Sequence, residues 1–128
     1  MNQRFTKKEH LKSRKLIQEL FHSGKAIKAF PLLAVYMPLQ NMPTLQVGFS
    51  VSKRKLKLAV DRNTVKRRIR EAYRLHRDSF ELNSKADMVV MFVYIKNGFS
   101  DYQQIEKAMK KLMEKLAQTD DVINDNQS

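Results

Sequence analysis

The feature that most narrows the fold is an unbroken apolar octet, Met88 to Ile95. It is far shorter than the ~20 residues that span a bilayer. It also lacks polar alternates that would face water. Within Ala86 to Ile95 it therefore reads as a strand buried on both faces, closed by Asn97-Gly98. A second strand, Leu45 to Ser52, has the opposite character. Leu45, Val47, Phe49 and Val51 point one way, and Gln46, Gly48, Ser50 and Ser52 the other. Its small polar side chains leave an outer face low enough to floor a groove. Leu32 to Met37 reads as a further strand, and Pro31 and Pro38 at its ends favour an edge position. Asn41-Met42-Pro43 reads as a turn, so a hairpin is expected between this strand and the one at 45–52.

Helices are read from spacing. Lys7 to His22 contains no Gly or Pro, carries Leu11, Ile17, Leu20 and Phe21 at helical intervals, and stops at Ser23-Gly24. Asp61 to Asp78 reads as a second helix with Asp61 as a candidate N-cap, although its start can lie as early as Leu58. Ser100 or Asp101 caps a third helix running to about Ala117, with Ile105, Ala108, Met109, Leu112, Met113 and Leu116 on one face. Residues 118–128 hold three Asp, many amides and no basic residue, and are expected to form a disordered acidic tail behind one domain at 1–117.

Charge restricts the partners. The 128 residues carry 25 Lys+Arg against 13 Asp+Glu, a formal net charge of +12. Such a field favours a polyanion. No apolar segment follows the basic start at Asn2-Gln3-Arg4, so neither a signal peptide nor a membrane partner is expected. Cys is absent, which excludes disulfides, thiolate zinc sites and a Cys nucleophile.

The charge is concentrated. Lys53 to Arg70 holds nine Lys or Arg and one Asp. At about 100° per residue, Val65, Ile69, Ala72 and Tyr73 share one side of the second helix. Asn63, Lys66, Arg67, Arg70, Arg74 and Arg77 share the adjoining arc. An ordinary basic helix face is merely solvated. Here a stripe of one sign follows the crowded Lys53, Arg54, Lys55 and Lys57, and such crowding repels itself unless a polyanion relieves it. Arginine forks grip phosphate with paired hydrogen bonds, and Asn63 can read a sugar hydroxyl or base edge.

The run Val47-Gly48-Phe49-Ser50-Val51-Ser52-Lys53-Arg54, followed by Ala59-Val60-Asp61-Arg62-Asn63-Thr64-Val65-Lys66-Arg67-Arg68-Ile69-Arg70-Glu71, resembles the signature of the bacterial ribonuclease P protein family. It departs from the pattern at Thr64, where the family usually has Arg. Arg4-Phe5, Leu20-Phe21 and Gly24-Lys25 also resemble the family's opening. The resemblance covers roughly 4–115. It implies an α/β (α+β) domain of order αβββαβα with a mixed four-stranded sheet, similar to the second domain of ribosomal protein S5. A short additional strand near Lys25 to Phe30 and a left-handed βαβ crossover come with that fold.

The resemblance also implies a role: a subunit of a ribonucleoprotein that removes the 5′ leader of precursor tRNA. Lys53, Arg54, Arg62, Asn63, Lys66, Arg67 and Arg70 would then bind the catalytic RNA. Ile17, Phe21 and Tyr36 would line a cleft for the single-stranded leader, with core packing an equal alternative for Phe21 and a wet edge expected for Tyr36. Mg²⁺ would be held by the RNA, in the cytoplasm, with no protein partner expected. The residues agree that no catalytic or metal site is evident. His10, His22 and His76 lack metal-pair spacing; Asp61, Asp78, Asp87 and Asp101 form no motif; Ser50 and Ser52 have no nearby His in sequence. The alternative is a basic ribosomal or ribosome-assembly protein of similar fold.

Overall fold

The computed structural model describes residues 13–38, 46–83 and 88–127. The elements are α1 (Arg14–Ser23), β1 (Lys25–Ala29), β2 (Leu32–Pro38), β3 (Gln46–Ser50), α2 (Ala59–Asn83), β4 (Met88–Tyr94) and α3 (Tyr102–Gln127). This is the αβββαβα order, and the short strand expected near Lys25 is β1. Arg4, Phe5, His10, the turn at 41–43, Leu45 and the residues at 84–87 lie outside the described residues.

The strands form one mixed sheet in the order β1-β2-β4-β3. β2 runs antiparallel to both β1 and β4, and β3 runs parallel to β4. Two expectations are corrected here. β2 is interior, not an edge. Pro31 precedes the strand and Pro38 is its last residue, so neither removes a donor from the middle of the ladder. Nor do β2 and β3 make a hairpin, because β4 lies between them and the hairpin partner of β2 is β1. The apolar octet takes the centre because alternate residues need cover on both faces.

One face of the sheet packs Ala34, Tyr36, Val47, Phe49, Val90, Phe92 and Tyr94 against Val65, Ile69 and Tyr73 of α2 and Ile105, Met109 and Leu112 of α3. Phe49 and Phe92 stack at 6.0 Å, with Tyr73 standing 5.9 Å from each ring. The other face packs Val35, Val89 and Met91 against Leu20, with Leu16 and Ile17 half-buried beside them. That face continues past α1 to Gly48 and Ser50, which pair with Met91 and Val93.

Local chemistry fixes the helix ends. The Ser13 hydroxyl accepts from Leu16 N at 3.2 Å, capping α1. Gly24 ends it for want of space, not for left-handed freedom: its φ is −74°, and a Cβ there would lie 2.4 Å from the Leu20 carbonyl oxygen. α2 starts at Ala59, ahead of Asp61, and the Leu58 carbonyl accepts from Arg62 N at 3.1 Å. Asp61 therefore sits in the first turn, where its charge favours the helix dipole. Asp101 is the cap of α3, accepting from Gln104 N at 2.8 Å. The backbone of α3 runs as a helix to Gln127. No Gly or Pro interrupts its C-terminal half. No described helix is long and apolar enough to cross a membrane.

Candidate nucleic-acid interface

β3 and β4 run in the same direction, so the segment entering α2 and the loop entering α3 emerge at one end of the sheet. The segment from Val51 to Leu58 is held there by its backbone. Ser52 O accepts from Lys55 N and Leu56 N, both at 3.2 Å, and Lys55 O accepts from Gly98 N at 3.0 Å. Leu56 anchors the loop in the core. Arg62 completes the clasp: its Nη1 donates to Leu56 O at 2.9 Å and to Lys57 O at 2.8 Å. Lys53, Arg54 and Lys57 are thereby displayed, exposed, on a loop whose path is fixed.

Along α2, Val65, Ile69, Ala72 and Tyr73 are fully buried, as their spacing predicts. Asn63, Arg67 and Arg70 are exposed and Lys66 is half-buried. The stripe is shorter than its sequence implied. Arg74 is engaged by the Glu71 carboxylate, and that hydrogen bond holds Glu71 below its usual carboxylate range. Arg77 is only 4% exposed. The open part of the stripe is therefore Asn63, Lys66, Arg67 and Arg70. Thr64 adds no cation, and its hydroxyl donates to Val60 O at 3.0 Å within its own helix.

Sequence reasoning missed Arg68 and Phe99. Arg68 leaves the stripe and donates from Nη1 to Ser100 O at 2.7 Å, with its guanidinium 4.9 Å from the Phe99 ring centre. Tyr94 supports the same loop, its hydroxyl bonding to Gly98 O at 2.6 Å and Ser100 Oγ at 2.9 Å. Burial, with this hydrogen bond opposing it, leaves the Tyr94 phenol above its ordinary pKa. Only the Asn97-Gly98 turn hinted at an ordered loop here.

The three residues expected at a leader cleft are not brought together. Ile17 is half-buried on the α1 face, and Phe21, at the end of α1, is 52% exposed. Tyr36 is 4% exposed and belongs to the opposite face, because strand alternation sends it with Val47 and Val90 towards α2 and α3. The wet edge expected for Tyr36 is therefore not what surrounds it. Among the described residues no three His, Asp or Glu side chains converge in a way that could hold a metal ion.

Comparison with known proteins follows the same line. The ribonuclease P family model matches residues 5–117. The ribonuclease P protein component of Porphyromonas gingivalis strain W83 is 31% identical over 117 residues, covering 88% of this chain and 85% of that protein. That of Desulfotalea psychrophila is 37% identical over 95 residues, covering 73% of each. Among solved structures, the Staphylococcus aureus RNase P protein superposes with a TM-score of 0.69 at 20% identity, covering 83% of this chain and 93% of that one. The Thermotoga maritima protein gives 0.67 at 20% identity, covering 84% and 96%. These two speak for the fold; the sequence match across almost the whole domain speaks for descent, and the chain belongs to the ribonuclease P protein family.

Proposed function

We propose that the chain, as the protein subunit of ribonuclease P, grips the catalytic RNA through Lys53, Arg54, Asn63, Lys66, Arg67 and Arg70. Arg62 contributes chiefly by shaping the loop that carries Lys53 and Arg54. The observation that carries this reading is the exposed, single-sign stripe on α2 beside a backbone-locked basic loop. A planar guanidinium fork loses little ordering entropy per hydrogen bond when phosphates arrive. Asn63 supplies a donor and an acceptor among them, suited to a ribose hydroxyl.

The 5′ leader of precursor tRNA lies on the α1 face in this reading, against Phe21 and Ile17, over the low floor of Gly48 and Ser50. Tyr36 serves that site from beneath the sheet, by holding β2 in place. Phosphodiester hydrolysis belongs to the RNA, which supplies the Mg²⁺ sites, and no step is assigned to a protein-bound metal. The protein's work is to hold substrate and to screen charge, in the cytoplasm, with the acidic segment 118–128 lying outside the acting domain 1–117. Family membership separates this reading from that of a ribosomal protein of similar fold.

Single-turnover cleavage of precursor tRNA by the cognate RNA, with and without the protein, tests it. The protein is expected to accelerate cleavage at low Mg²⁺ and to produce none by itself. Cleavage by RNA-free protein, or no effect at any Mg²⁺, overturns the reading.

A further inference from the structure

Two large aromatic side chains stand in the open at the end of the sheet where β1 turns into β2 and β4 leads into α3. Phe30, in the β1–β2 turn, is 57% exposed, and Phe99, in the loop before α3, is 46% exposed. We propose that this end of the sheet is a second track for single-stranded RNA, with unpaired bases stacked on Phe30 and Phe99 and phosphates held by Lys96, Lys107 and Lys111. It goes beyond the two sites above, and rests only on the chain being an RNA binder.

Both rings are positioned rather than loose. The turn carrying Phe30 is tied to the end of β4 by Ile95 N donating to Pro31 O at 2.9 Å. Phe99 follows Gly98, whose φ of +100° few other residues adopt, and its loop is clasped by Tyr94, Lys55 O and Arg68. One side of the Phe99 ring meets the Arg68 guanidinium, which leaves an apolar face for a base. Phe30 borders an open cleft of about 290 Å³ whose other walls are Ala29, Gln104, Lys107, Ala108 and Lys111. That volume is near the lower bound for small-ligand sites.

The cations are spaced to follow a backbone. Lys107 and Lys111 stand one turn apart on the exposed side of α3. Lys115 continues the row, with its Nζ 3.5 Å from Lys28 O. Lys96 donates to Gln104 Oε1 at 3.3 Å, and Gln104 itself lines the Phe30 cleft. Of the carboxylates in this stretch, Asp101 caps α3 and Glu106 meets His76 at 3.3 Å, while Glu114 is exposed. Rings without polar tips accept the π-face of any base, and cations beside them take the phosphates, which is how single strands are held without sequence preference. A duplex offers no unstacked base to such rings.

The chain has no Trp, so Phe30→Trp and Phe99→Trp each introduce a unique indole fluorophore. Each variant is titrated with oligoadenylate and, separately, with inorganic polyphosphate at equal phosphate concentration. Oligoadenylate is expected to quench both indoles and polyphosphate neither. In an Arg67→Ala/Arg70→Ala background, which disables the α2 stripe, residual oligoadenylate affinity should persist. Phe30→Ala or Phe99→Ala should lower it roughly tenfold per ring and leave polyphosphate binding unchanged. Lys107→Gln with Lys111→Gln should weaken both ligands. Phe30→Leu and Phe99→Leu keep apolar bulk; a stacking role predicts that they lose affinity like Ala, and a packing role predicts recovery. Unquenched indoles with oligoadenylate bound, residual affinity indifferent to both rings, or recovery by Leu each overturn the proposal. A failure of the α2 reading shows elsewhere, as polyphosphate affinity that Arg67→Ala and Arg70→Ala leave untouched.

Discussion

Arg62, Arg68 and Arg74 have the same charge as Arg67 and Arg70 but direct it at the protein itself, by way of loop carbonyls, the Phe99 ring and Glu71, and Arg77 is buried. A residue's type therefore does not assign its task, and its surroundings do. Tyr102 is a second instance. Its hydroxyl is buried without a hydrogen-bond partner among the described residues, and burial raises its pKa. Leaving a buried hydroxyl unsatisfied costs ~1–3 kcal/mol, so Tyr102→Phe should leave the melting temperature unchanged or raise it. Tyr94 and Tyr102 both have folded pKa values above the ordinary 10.0. The folded state then holds its phenolic protons longer than the unfolded chain. Their contribution is complete below about pH 10 and declines as pH rises towards the folded values. Thermal melts between pH 9 and 11.5 should show that decline, and Tyr102→Phe should flatten part of it. Tyr36→Ala and Phe21→Ala separate core from cleft. The first should cost roughly 3–5 kcal/mol of stability, as large core truncations do. The second should leave stability nearly intact and weaken precursor tRNA, but not mature tRNA, by about 1–3 kcal/mol.

At the scale of elements, α2 packs on the sheet with one side and, in the reading proposed above, meets RNA with the other. Arg67→Ala and Arg70→Ala should each reduce the salt slope of binding to the catalytic RNA by about one, without moving the melting temperature. Arg62→Ala should instead loosen the 51–58 loop, read as faster amide exchange at Leu56 and Lys57, whose carbonyls it holds. Much of this was legible beforehand. The periodicity of Val65, Ile69, Ala72 and Tyr73 located the buried side of α2, and the alternation of Val47 and Phe49 located that of β3. Strand order was not legible, because Pro31 and Pro38 look the same at the ends of an interior strand as on an edge. The length of the stripe was not legible either. Angles on a helix carry no information about Glu71 engaging Arg74 or about the burial of Arg77. Phe99 escaped because its significance lies in Arg68, which is distant in sequence.

For the whole molecule, the relevant quantity is a net +12 carried by 128 residues. A polyanionic substrate meeting a polyanionic catalyst is repelled, and free cations relieve this only at high concentration. Fixed charge between them should lower the Mg²⁺ needed for half-maximal cleavage, and the benefit should fade as Mg²⁺ rises. The sheet order has another consequence, during synthesis. β3 has a single neighbour, β4, and Gln46 must wait for Val89 before it can pair. While the ribosome is still making α2, β1 and β2 can already close as a local hairpin, whereas β3 has an unfilled edge and α2 has no finished sheet to lie on. A chain ending at Asn83 should therefore remain largely unfolded by amide exchange, despite containing most of the basic motif. The capacity to grip RNA as a shaped surface arises late, when the octet leaves the exit tunnel and inserts between two strands made before it.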